Sequence, residues 1–120
     1  MLQAITIADQ RYKEYSNSEN FIQKHIFPDG FLPSLSLMNK MLTDNTNLIV
    51  RDVHDMGIDY AKTLNHWRQN FKASTSHLES IGYGNQFRRL WEYYLGYCEG
   101  GFLERRISTV QLLASKAPHY

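Results

Sequence analysis

Cysteine is almost absent: Cys98 is the only one in 120 residues, so no disulfide can form within the chain, which suits a reducing compartment. Charge of one sign is lacking too. Thirteen basic residues stand against 12 acidic ones, which gives no global field to draw in nucleic acid, and none is expected as a partner. No apolar run approaches the roughly 20 residues that span a bilayer. The opening Met1–Ile7 has no basic flank and is too short for the apolar region of a signal peptide. There is no internal repeat, no low-complexity tract and no G-x-G-x-x-G. Gly82-Tyr83-Gly84 follows no strand pattern and reads as a loop. The five histidines, His25, His54, His66, His77 and His119, lack a zinc-type spacing such as H-E-x-x-H, so no metal is expected. What the chain does have is apolar and aromatic surface. Hydrophobic residues make up 42%, and tyrosine alone accounts for 8 positions. That is enough to build one small domain, with side chains suited to a boundary between apolar and wet surroundings.

Patterning divides the chain into alternating strands and helices. Leu2–Ile7 reads as a strand, and Ser16-Asn17-Ser18-Glu19 has the spacing of a capping box opening a helix with Phe21, Ile22, His25 and Ile26 on one face. Pro28 stops that helix, and Asp29-Gly30 turns the chain. Pro33-Ser34 starts a second helix with Leu35, Met38 and Leu42 on one side, followed by a polar turn over 44–47 and a strand over 48–52. Asp59 can cap a helix whose stripe is Tyr60, Leu64, Trp67 and Phe71. After a looser stretch over 74–84, Asn85 can cap a helix with Phe87, Leu90, Trp91, Tyr94, Leu95 and Cys98 facing inward, ended by Gly100-Gly101. Ile107–Leu113 is apolar on both alternating faces, the mark of a strand covered on both sides. The order predicts an α/β layer architecture with an unpaired edge at Leu2–Ile7, a domain that looks cut.

Three ordered segments carry a resemblance to a known family. The first is Phe21-Ile22-Gln23-Lys24-His25-Ile26-Phe27-Pro28-Asp29-Gly30-Phe31-Leu32-Pro33-Ser34. The second is Tyr60-Ala61-Lys62-Thr63-Leu64-Asn65-His66-Trp67-Arg68. The third runs from Phe87 to Leu113 and includes Trp91-Glu92-Tyr93-Tyr94-Leu95, Tyr97-Cys98-Glu99, Phe102 and Arg105-Arg106-Ile107. Together they resemble the C-terminal portion of the cyclopropane-fatty-acyl-phospholipid synthases. The resemblance implies the C-terminal part of a doubly wound methyltransferase fold of the S-adenosylmethionine-dependent kind. Residues 1–120 would supply its last three strands with flanking helices, the final strand central and antiparallel, and the cofactor-binding half would be absent.

Family members transfer a methyl(ene) group from S-adenosylmethionine to the cis double bond of a phospholipid acyl chain. By resemblance the chain serves that reaction, although alone it is expected to be inactive. Tyr60 matches the family's catalytic tyrosine, whose hydroxyl holds a bicarbonate ion. Gln3 and Ile5 match its other bicarbonate contacts, with Gln3 standing where the family has a histidine. A glutamine amide can donate to an anion but cannot take up a proton. From periodicity alone Tyr60 is a core residue; only the motif makes it a site residue. The family places such enzymes in the cytoplasm, peripheral to the inner face of the membrane.

Several side chains keep two readings. Arg68, Lys72, Arg88, Arg89, Arg105 and Arg106 can meet anionic headgroups, or can form ordinary ion pairs with Glu92, Glu99 and Glu104. Phe27, Phe31 and Leu32 can line an acyl path or fill the core. Cys98, on the apolar side of a helix with no base beside it, reads as packing. Two other functions remain open. One is a fatty-acyl methyltransferase with a non-cyclopropane product; the other is a non-catalytic module that pairs through its exposed strand, as a homodimer or with the missing N-terminal half.

Overall fold

The computed structural model describes residues 1–18 and 20–118; Glu19 of the expected capping box, and His119, lie outside them. Three strands form one sheet: β1 (Leu2–Ile7), β2 (Leu48–Asp55) and β3 (Ile107–Lys116), in the order β1-β3-β2. β3 runs antiparallel to both neighbours, with Ile5 opposite Thr109 and Val53 opposite Leu112. The last strand in sequence is therefore the central one, as the family resemblance implied. Val110 and Leu112 point to one side of it and Thr109 to the other, and all three are buried. β2 runs three residues past the expected Asp52, with a register shift between Val50 and Asp52, so His54 sits within the strand.

A short 3-10 turn (Asp9–Arg11), α1 (Tyr12–Ser16) and α2 (Phe21–His25) follow β1. The capping box that opens α2 is made by Asn20 and Gln23, each side chain bonding the other's backbone N–H, while Ser16 closes α1. The expected box at Ser16–Glu19 is thus displaced by four residues, because the frame beginning at Asn20 pairs both backbone donors reciprocally. Ser34 caps α3 (Leu35–Asn45) through Leu37 N–H, and that helix takes in Asp44 and Asn45 of the expected turn.

α4 (Gly57–Ala73) and α6 (Asn85–Leu103) form an antiparallel pair across the short α5 (Thr75–Ser80), which occupies the stretch expected to be loose. Ala61, Leu64, Leu95 and Phe102 make the buried seam. Polar bonds lace its edge: Glu99 accepts from Asn65 Nδ2 at 3.0 Å and Arg68 Nη2 at 3.1 Å, and Lys72 meets Glu92 at 3.0 Å. Because Arg68 and Glu99 are mostly covered, Glu99→Ala is expected to lower stability by about 1–3 kcal/mol, since it strands a half-buried guanidinium. A chemical denaturation curve for the variant checks this.

Three ends of α4 and α6 depart from the expected caps. Asp59 lies inside the first turn of α4; the carboxylate that accepts Gly57 N–H is Asp55, at 2.9 Å. Asn85 is the first residue of α6, behind a Gly84 cap that makes no side-chain bond. Gly100 and Gly101 do not end α6. The chain stays helical through Leu103 and closes with Arg106 N–H on Gly101 O and Arg105 N–H on Phe102 O. That is a Schellman ending, and it places Arg105 at φ 58°, where glycine is the usual residue.

Candidate active site

An apolar cavity of about 730 Å³ opens between the β1 end of the sheet, the α4–α6 pair and the segment over 11–32. Its walls include Ile5, Ile7, Tyr60, Leu64, Trp67 and Tyr94. Phe27, Phe31 and Leu32, which kept two readings in the sequence, all line it, and Phe27 and Phe31 are about half exposed at its rim. The loop carrying them is held from beneath by buried Tyr15. Its hydroxyl accepts Leu32 N–H at 2.9 Å, while Gln23 Nε2 donates to Gly30 O at 3.0 Å. Nothing in the polar surroundings of Tyr15 gives it a core periodicity, and only the fold reveals its role.

Tyr60 stands in the first turn of α4, with its ring packed on Phe102 (centroids 4.9 Å apart) and edge-on to Trp67. Trp67 is a correction to the expected core stripe. It is 48% exposed and forms cavity wall, because helical spacing is the same for a seam and for a pocket lining. Two backbone bonds tie Tyr60 to the sheet: Met56 N–H donates to Thr109 O at 2.8 Å, and Tyr60 N–H to Met56 O at 2.9 Å. Thr109 is the β3 residue opposite Ile5. Ile5 and Tyr60 are thus brought to one cavity across three linked backbone positions.

Gln3 is not a wall residue. It lies one same-face step beyond Ile5 on β1, and its Oε1 accepts from Gln111 Nε2 at 3.1 Å. Ile7 N–H bonds Pro33 O, on the side of β1 away from β3. By the two-residue repeat, Ile5 N–H points to that same open side.

The α4 N-terminus is anchored by a compact polar group. Asp55 accepts from Gly57 N–H, from the Ser108 hydroxyl and from both Nη atoms of Arg105, the closer at 2.6 Å. Burial alone pushes the Asp55 carboxyl up, but these hydrogen bonds and the Arg105 charge outweigh it and hold the group below its ordinary range. Cys98 goes the other way. Burial pushes its thiol up to about 11, and burial with the neighbouring Cys98 and Tyr60 pushes Tyr94 to about 12. A thiol that stays protonated near neutrality is no nucleophile, in keeping with the packing reading. Of the six basic residues that could face headgroups, Arg68, Lys72, Arg88 and Arg105 are engaged in ion pairs, with Glu99, Glu92, Glu79 and Asp55. Among the described residues no helix is long and apolar enough to cross a membrane.

Residues 1–112 match the family described as mycolic acid cyclopropane synthetase. The chain is 37% identical over 110 residues to tuberculostearic acid methyltransferase UfaA1 of Mycobacterium tuberculosis, covering 92% of itself and 26% of that protein. It is 33% identical over 100 residues to the cyclopropane-fatty-acyl-phospholipid synthase of Escherichia coli, covering 83% and 25%. The fold superposes with a TM-score of 0.82 and 25% identity on mycolic acid cyclopropane synthase CmaA1, solved in complex with SAH and CTAB, over 96% of this chain and 43% of that one. The chain therefore spans about a quarter of the length of these curated relatives. Matched in sequence over nearly all its length and in fold over the same stretch, the chain belongs to the mycolic acid cyclopropane synthetase family.

Proposed function

We propose that residues 1–120 are the C-terminal segment of an S-adenosylmethionine-dependent methyltransferase domain, acting on the cis double bond of phospholipid acyl chains to form a cyclopropane. The observation that carries this is the cavity. It is mostly apolar and aromatic-rimmed, with a tyrosine in the first turn of a helix on its wall and charge confined to Arg11, Glu14, Glu104 and Arg106. An alkene is a weak nucleophile, and the cationic species its methylation creates survives only where water is kept out. Ile5, Leu64, Trp67 and Phe102 supply that dry wall, and the Tyr60 and Trp67 ring faces can stabilise cationic character.

Nothing in this chain is assigned to S-adenosylmethionine; that task falls to a cofactor-binding half. Surface area supports pairing with such a half. The chain exposes 8499 Å², against roughly 6,700 Å² for a compact protein of its mass, so about 1,800 Å² is in excess. The radius of gyration is 17.7 Å, where about 14 Å is ordinary for this length. On this reading the chain alone is inactive, and the complete enzyme works from the cytoplasm at the inner face of the membrane.

Bicarbonate fits the residues present. The Tyr60 hydroxyl and the edge-facing Ile5 N–H at the cavity are hydrogen-bond donors suited to a small oxyanion, and the Gln3 amide, one strand step beyond the wall, is a third. When bound, the ion supplies the base for the final proton. Tyr60 would hold it, and Ile5 and Gln3 would orient it. Gln3 also favours a second reading, in which proton removal follows another course and a methyl branch results; the similarity to a tuberculostearic acid methyltransferase points the same way.

The deciding experiment is analysis of membrane lipids, by mass spectrometry and proton NMR, from cells expressing this chain joined to its cofactor-binding half. Ring-containing acyl chains are expected; branched or methylene products without a ring would overturn the cyclopropane assignment. In the same assay, Tyr60→Phe is expected to reduce product formation about tenfold to a hundredfold with folding retained, because it removes one donor from the site and leaves the ring packing in place.

A further inference from the structure

We propose that Gly100 is a specificity-determining residue whose missing side chain keeps the cavity wide enough for an acyl chain to pass over α6. The inference rests on the functional reading above, in which the cavity takes such a chain. It begins from a cost in the sequence. α6 carries three glycines, Gly96, Gly100 and Gly101, in the body of a helix that continues through Leu103. Glycine is the poorest helix former after proline, because it loses the most backbone freedom on folding. Each of the three therefore needs a reason in its surroundings.

For two of them that reason is a neighbouring side chain. A Cβ on Gly101 would come within 3.2 Å of Ile107, and one on Gly96 would lie 3.9 Å from Cδ of Arg68, against α4. Gly100 has no such neighbour. Beyond its own turn of helix, an added Cβ would meet no heavy atom of the described residues within 4 Å. The backbone does not demand glycine either, since the positive-φ positions among the described residues are Gly82 and Arg105. The open space in front of Gly100 is the cavity itself. Its helical stripe runs from Tyr97, one turn before, to Glu104, one turn after, and both also line the cavity. Gly100 is thus a notch between an aromatic ring and a carboxylate, two residues from Phe102, on which the Tyr60 ring packs. A methyl group at this position would take up cavity rather than fill core. What glycine costs α6 therefore benefits only an occupant of the cavity, and the apolar wall that continues to Leu64 and Tyr60 suits a hydrocarbon chain.

The test uses the chain together with its cofactor-binding half. Alanine fits the backbone at position 100 without strain, so Gly100→Ala is expected to raise the denaturant midpoint of unfolding. The same variant should bind a fluorescent cis-polyene fatty acid about twofold to threefold less tightly, because its methyl group narrows the notch. Gly100→Leu should weaken probe binding, and lower kcat/KM for a cis-monounsaturated phospholipid dispersed in detergent, by about tenfold or more. Affinity for S-adenosylmethionine, measured by calorimetry, should not change in either variant. The opposed signs mark the role, since a glycine kept for packing loses stability when it is replaced. Undiminished probe binding and turnover in Gly100→Leu, or lowered stability in Gly100→Ala, would overturn the proposal and leave the lipid reading intact. Loss of the cofactor-binding half from Gly100→Leu on size exclusion would overturn it as well, by placing the position in an interface. A parent protein that binds no probe and methylates no lipid would remove the functional reading and this proposal together.

Discussion

Phe102→Ala is expected to lower the free energy of unfolding by about 3–5 kcal/mol, the largest loss from a single side chain in this fold. Phe102 is only 1% exposed and sits where three structures meet: the α4–α6 seam, the Tyr60 ring and the start of β3. Its removal leaves a cavity that these walls cannot close. Ile107 is already pressed so close to α6 that a Cβ on Gly101 would come within 3.2 Å of it, and the Schellman ending pins the backbone just beyond. The cost should therefore lie near the upper part of the range for large-to-small substitutions. A urea or guanidinium titration checks it: the midpoint should fall while the slope is kept, which marks lost packing rather than a changed unfolded state. Phe102→Leu, which retains most of the volume, should lose less than half as much. Equal losses for the two variants would mean that ring contact with Tyr60, not volume, carries the energy.

The elements whose signals are local were legible in the sequence. β1, β3 and α3 were expected close to where they stand, because alternation, a double-apolar strand and a Pro-Ser start are each contained in a few residues. The centrality of β3 was legible for a different reason: the family resemblance implied it, and the two apolar faces of Ile107–Leu113 agreed with a strand covered on both sides. Helix ends were read less well. Gly100-Gly101 looked like a terminus because glycine commonly occupies the left-handed position, yet Arg105 takes it, aided by an ion pair with Asp55 fifty residues away in sequence. No local rule contains that partner. Trp67 failed in the same manner, since a stripe at helical spacing does not say whether its far side meets another helix or a cavity. Of the site, Tyr60 and Ile5 do meet at one cavity. The Gln3–Gln111 bond could not be seen, because register between the first and last strands is a property of the closed sheet.

Gly57→Ala is the second large effect, expected to cost about 2–3 kcal/mol although Gly57 opens an ordinary helix. Alanine is the better helix former, so propensity alone predicts a small gain. Packing reverses the sign. A Cβ at position 57 would lie 2.5 Å from the Ser108 hydroxyl and 2.9 Å from an Arg105 nitrogen, both of which are bonded to Asp55. Either the Asp55 group comes apart or the first turn of α4 lifts from β3, and Tyr60 moves with it. Ser108→Gly removes the nearest obstacle, so the double variant Gly57→Ala/Ser108→Gly should cost less than the sum of its parts, a coupling measurable by denaturation. The same group sets a response to acid. Because the folded-state Asp55 carboxyl is held below its ordinary range, its contribution is complete above the unfolded-state value near 3.8 and is lost as the pH falls through the lower folded-state value. Asp55→Asn should therefore be less stable than the parent at neutral pH, and the gap between the two should narrow in that acid window. A gap that stays constant down to the acid limit would show that charge at Asp55 contributes nothing, and that the anchor of α4 rests on hydrogen-bond geometry alone.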